Sequence, residues 1–132
     1  MIGVDTNILV RLFVRDHAEQ TEAAATFLSA RSESDPAFVS AVVLAELAWV
    51  LDKSYGYSTA SIHGALEWLF DSENVAVERS DLMEDAIASA QETGADISDS
   101  IIAAIANDAG AAKTVTFDKR AAKRIPGMEL LA

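Results

Sequence analysis

The sequence contains no cysteine. That excludes a disulfide framework and a thiolate zinc site, and it fits a reducing compartment, so a cytoplasmic location is expected. Proline occurs only at Pro36 and Pro126, neither in a Pro-rich tract, and there is no repeat, low-complexity segment or linker. A single domain over residues 1–132 is therefore expected. No apolar run is long enough to span a bilayer, and Asp5 interrupts the first one too early for a signal peptide. No Gly-rich loop ending in Lys-Ser/Thr is present, which excludes a P-loop ATPase. Positive charge is also scarce: ten Lys and Arg stand against 21 Asp and Glu, a net charge of −11. Taken alone, that balance argues against a nucleic-acid partner, because phosphate binding needs cationic surface.

The distribution softens the objection. Lys113, Lys119, Arg120, Lys123 and Arg124 cluster near the C-terminus, and Arg11 and Arg15 sit in the first helical stretch. The C-terminal cluster reads equally well as a solvated helix face. About half the residues are apolar, enough for one core. Ile2-Gly3-Val4 reads as a short buried strand, and Asn7 onward as a helix with Ile8, Leu9, Leu12 and Phe13 at helical spacing. Asp16, with Glu19 as a capping-box partner, opens a helix to about Ser32. Ala37-Phe38-Val39 and Val75-Ala76-Val77 are strand candidates. Helices are expected from about Ala41 to Lys53, from Ser58 or Thr59, from Ser80 or Asp81 to Gly94, and from Asp96–Ser98 to Gly110. A strand within Lys113–Phe117, a short basic helix over Lys119–Arg124 and a last strand at Met128-Glu129-Leu130 complete the chain. Short strands alternating with longer helices predict an α/β fold, a three-layer α/β/α sandwich around a mostly parallel central sheet.

A few carboxylates stand out from the acids on polar helix faces. Asp5 is the only charge between Met1 and Val10 and ends a strand, where open α/β sheets keep their ligand crevice. It also reads as a helix N-cap. Glu46 is the only ionisable residue from Ala37 to Leu51, in a helix apolar nearly all round. Such a helix reads as buried, and a buried carboxylate is costly unless paired or metal-bound; one narrow exposed face is the other reading. Asp96 and Asp99 precede and open a very apolar helix, with a purely local capping arrangement as competitor. Asp118 follows Val115-Thr116-Phe117 as Asp5 follows Ile2-Gly3-Val4, and it too reads as a cap. Clustered carboxylates repel one another and require a cation. An all-oxygen set suits Mg²⁺ or Mn²⁺ rather than Zn²⁺. His17 and His63 are isolated on helices that read as solvent-facing and are not counted as ligands.

Asp5-Thr6-Asn7-Ile8-Leu9, Glu46 in Val43-Leu44-Ala45-Glu46-Leu47, Asp99 in Asp99-Ser100-Ile101-Ile102, and Asp118 in Val115-Thr116-Phe117-Asp118 occur in the order and spacing of PIN-domain nucleases. Over essentially its full length the chain resembles a VapC-type toxin of a type II toxin–antitoxin pair. The resemblance implies a PIN-like sandwich with acids at the C-terminal edge of its sheet. It implies a Mg²⁺- or Mn²⁺-dependent endoribonuclease in which Asp5, Glu46, Asp99 and Asp118 form an acidic quartet, Asp5 and Asp99 binding metal directly. Asp96 matches an extra acid of many members. Thr6, Asn7 and Thr116 match positions that orient the quartet or its water. Implied partners are an RNA substrate, a cognate antitoxin and a second copy in a homodimer, with no membrane.

The chemistry is coherent beside the resemblance. A carboxylate-held metal can activate water and clamp phosphoryl oxygens, while Arg11, Arg15, Lys119 and Arg120 steer the strand in. Tyr55, Tyr57 and Trp68 can stack bases, or serve as packing. Two other readings compete. One is a non-catalytic PIN-like module that binds protein or RNA. The other is an aspartyl-phosphate enzyme, which usually needs a second Asp two residues after the first, where this chain has Asn7.

Overall fold

Short strands set between longer helices recur through residues 1–132 of the chain, all described by the computed structural model. The chain forms two compact units, Met1–Ser80 and Asp81–Ala132. In the first, β1 (Ile2–Gly3), β2 (Ala37–Val39) and β3 (Val75–Val77) form a parallel sheet in that order, with Ile2 opposite Ala37 and Ala37 opposite Val75. Parallel neighbours need a crossover. Here α1 (Thr6–Val14) and α2 (Ala18–Ser29) make the first, α3 (Ala41–Lys53) and α4 (Thr59–Asp71) the second. The second unit holds α5 (Ser80–Thr93, whose first residue closes the first unit), α6 (Ile97–Asp108) and the parallel pair β4 (Thr114–Thr116) and β5 (Met128–Leu130). The crossover between β4 and β5 is α7 (Lys119–Arg124).

The α/β class with parallel strands is thus as expected, with the strands shared between a three-stranded and a two-stranded ladder. Periodicity explains the first unit's core. Leu44, Leu47, Ala48 and Leu51 line the buried face of α3, and Ile62, Leu66 and Leu69 that of α4. In the second unit Ala103, Ala121 and Ile125 form a buried cluster with Ala95 and Met128 against it. Gly94 ends α5 at φ +73°, a conformation that costs any residue with a Cβ. There its carbonyl accepts from Arg124 Nη1 at 2.9 Å.

Several local expectations are corrected. His17, not Asp16, caps α2: its Nδ1 accepts from the Gln20 amide at 3.1 Å, and Asp16 pairs instead with Arg11. The helix ends at Ser29 because the chain turns through Arg31 to Asp35, whose carboxylate binds both Arg31 and the Met1 amine, each at 2.6 Å. Of the expected buried strand Ile2-Gly3-Val4, only Val4 is buried; Ile2 and Gly3, which form β1, are exposed. His63 does not face solvent: one residue after Ile62 on the buried face of α4, it is only 6% exposed.

Candidate active site

The first unit delivers Asp5, Ser40 and Glu78 just beyond the C-terminal ends of its three parallel strands. Asp5 has extended backbone and caps α1, its Oδ1 accepting from the Thr6 amide at 2.8 Å. Thr6 is buried in the first helical turn, whereas Asn7 is exposed. Asn7 and Arg11 line a groove of about 610 Å³ along α1 and α2, with Ile8, Gln20, Ala23 and Phe27. The Arg11 guanidinium is committed to Asp16, and Arg15, which ends α1 in the left-handed region, is exposed.

Glu46 lies on the exposed face of α3, not in its buried one. It stands between Val42, 75% exposed, and Trp49, 51% exposed. The burial expected for Glu46 from its apolar neighbours is therefore overturned: α3 has two apolar faces, and only one is packed.

In the second unit Asp96 caps α6, with Oδ1 accepting from the Asp99 amide at 2.9 Å. Asp99, in the first turn, is half-buried. Burial pushes its carboxyl above the usual range, and the negative charges of Asp96 and Asp118 push it further. Asp96 and Asp118 therefore each lie within electrostatic reach of Asp99. Asp118 caps α7, its Oδ1 accepting from the amides of Arg120 at 2.9 Å and Ala121 at 3.0 Å. Its own amide donates to Thr116 Oγ1 at 3.0 Å, so Thr116 sets the turn that presents the carboxylate. Lys119 and Arg120 follow, both exposed.

The capping and ligand readings of these aspartates turn out to be compatible. Asp5, Asp96 and Asp118 each cap through Oδ1, and an ionised carboxylate has a second oxygen with lone pairs to spare. Within neither unit is a group of three or more His, Asp or Glu side chains arranged to hold an ion. The donor set nevertheless fits a hard divalent cation: it is all oxygen, and a cation would offset the negative charges of Asp96 and Asp118 that act on Asp99.

A family model described as the PIN domain matches residues 2–127. The chain belongs to the PIN-domain family. PIN domains are typically metal-dependent nucleases acting on nucleic acid, which makes this chain, in broad terms, a hydrolase of phosphodiesters. No curated protein matches it. No helix of this PIN domain is long and apolar enough to cross a membrane.

Sequence reasoning missed two groups at the PIN domain's sheet edge. Ser40 caps α3, its Oγ accepting from the Val43 amide at 3.2 Å. Glu78 reaches over from the end of β3, and its Oε1 accepts from the Ala41 amide at 2.8 Å. Ser40 directly precedes the helix and was legible as a cap. Glu78 lies 37 residues away from Ala41, beyond any local pattern.

Proposed function

We propose that the protein is a Mg²⁺- or Mn²⁺-dependent endoribonuclease, the toxin of a type II toxin–antitoxin pair. In this reading residues 1–132 act as one PIN domain in the cytoplasm, with Asp5, Glu46, Asp99 and Asp118 as its acidic quartet. The observation that carries the reading is the state of Asp99, half-buried and facing two like charges. A cation beside such acids favours their charged forms.

Asp5 and Asp99 would hold the ion directly, and Glu46, Asp118 and Asp96 through water, since Mg²⁺ usually keeps several of its waters. When bound, the ion supplies charge neutralisation at phosphorus and activation of the attacking water. The remaining work falls to the chain. Glu46, exposed on α3, would take up the proton of the attacking water as general base. Thr116 fixes the turn carrying Asp118, and Thr6 and Asn7 hold the start of α1 beside Asp5. Lys119, Arg120 and Arg15 draw in the phosphate backbone. Arg11, already paired with Asp16, has a smaller share in that attraction. The acidic remainder of the surface suits a basic antitoxin segment, and a second copy of the chain completes a homodimer.

The test is cleavage of RNA with Mg²⁺ or Mn²⁺ present, with Asp5→Asn as the control. Activity that requires the metal and vanishes in Asp5→Asn supports the reading; equal cutting by the variant overturns it. The exposure of Glu46 keeps a second reading alive, a non-catalytic PIN-like module that binds protein or RNA, because an exposed acid beside Val42 and Trp49 is no burden on the fold. Calorimetric titration separates the two: no binding at millimolar Mg²⁺ or Mn²⁺ favours the module.

A further inference from the structure

Strand β4 carries its polarity inverted. Thr114 and Thr116 are half-buried, whereas Val115 is 50% exposed and Phe117, in the bend that follows, is 73% exposed. A sheet with one face on a core turns its apolar residues inward and its polar ones out. An exposed large apolar group outside any core calls for an explanation. Four other aromatics have structural partners. Phe13 and Trp68 meet edge to face at 5.8 Å, and Tyr57 donates its hydroxyl hydrogen to the Phe13 carbonyl at 3.2 Å. Phe27 lies under the Arg31 guanidinium at 5.1 Å. The Phe117 ring has neither a ring nor a cation against it.

Its position is what gives the exposed ring a use. Phe117 lies between Thr116, whose hydroxyl fixes the turn, and Asp118, whose charge acts on Asp99. Lys119 and Arg120 come immediately after, exposed and outside every ion pair of the unit. An aromatic face, a carboxylate and two cations therefore occupy four consecutive residues. Neighbouring Cα atoms are only ~3.8 Å apart, so all four lie within the span of one nucleotide and its adjoining phosphates.

We propose that Phe117 is a base-stacking residue, which holds an unpaired base of the nucleic acid against its ring beside Asp118 while Lys119 and Arg120 take the adjoining phosphates. A base can lie flat on a side chain only when it is free of a duplex stack. The bound segment is accordingly single-stranded at that nucleotide. Stacking tolerates any base, so the contact sets affinity and position rather than sequence preference. This inference rests on the reading of Asp99 and Asp118 as part of a nuclease site.

The test is binding of a fluorescent single-stranded RNA, followed by anisotropy, to the full chain carrying Asp5→Asn so that the RNA stays whole. Adding Phe117→Ala should raise Kd roughly tenfold. Phe117→Tyr should restore it, and Phe117→Leu, apolar but without a π face, should not. Binding of the same sequence as a duplex should change little. A 2-aminopurine placed in the RNA should be quenched on binding and lose that quenching in Phe117→Ala. Because the ring is exposed, all three variants should melt as the parent does. Equal Kd values for Phe117 and Phe117→Ala, full rescue by Phe117→Leu, or no RNA binding by the parent each overturn the proposal. So does a change of oligomeric state in Phe117→Ala with RNA binding intact, which would mark a protein contact. Failure of the nuclease reading looks different: the wild-type chain would cut no RNA, yet its binding would still depend on Phe117.

Discussion

At the scale of single residues, the capping aspartates carry a second role in the proposed reading. Asp118 holds the first turn of α7 through Oδ1 and contributes negative charge at Asp99. Substitution separates the two. Asp118→Asn keeps an oxygen acceptor for the amides of Arg120 and Ala121 but removes the charge. Asp118→Ala removes both, and losing a helix cap costs about 1 kcal/mol. We expect Asp118→Asn to melt near the wild type and to lose RNA cleavage, and Asp118→Ala to lose cleavage and about 1 kcal/mol of stability. Thermal melting beside a cleavage assay checks this, and a fully active Asp118→Asn would leave Asp118 as a cap only. Sequence showed the type and spacing of these acids. It left cap and ligand open because one residue pattern serves both.

At the scale of elements, α3 and α4 show where periodicity succeeds and where it stops. The spacing of Leu44, Leu47 and Leu51 identified a packed face. The apolar residues around Glu46 suggested that the opposite face was packed as well, yet Val42 and Trp49 are open to solvent. Burial depends on what lies against a face, which no local pattern records. Helix α4 errs the other way, with polar His63 buried and its Nε2 left without a hydrogen bond. Burial pushes the His63 imidazole below its ordinary value of 6.5, and Glu67 one turn on opposes that only in part. Between that lower value and 6.5 the unfolded chain binds more protons than the folded one, so stability rises with pH. Stability should therefore be full above pH 6.5 and fall as the pH drops below it. Melting temperatures across that window should decline in the wild type and decline less in His63→Leu. Asp35 does not confuse the result. Its carboxyl, held below 3.8 chiefly by the Met1 amine, loses its contribution only in far stronger acid.

At the scale of the whole molecule, charge is the main constraint on the proposed reading. A chain of net charge −11 is poorly suited to polyanions unless its own acids are neutralised where they cluster. In the proposed reading a divalent ion would do that locally and would leave Lys119 and Arg120 to attract the substrate. Titration with Mn²⁺ should therefore give saturable heat. Asp99→Asn should weaken it by about tenfold or more, the usual cost of losing even an outer-shell carboxylate. Undiminished affinity in Asp99→Asn would remove that residue from the ion's surroundings.

The sequence by itself determined the α/β class, nearly every element and the family, because strand and helix periods, turn residues and the spacing of four acidic motifs are local properties of the chain. Tertiary structure decided the rest. It placed His63 in a core and Glu46 outside one, gave the cap of α2 to His17, and brought Glu78 from β3 to the start of α3. It also turned the apolar side of β4 outward. Each of these depends on which surfaces meet, and short strands of two or three residues carry too little pattern to say so. The ring of Phe117 is the plainest case: in sequence it is one more apolar residue of a strand, and only the fold leaves it open beside Asp118.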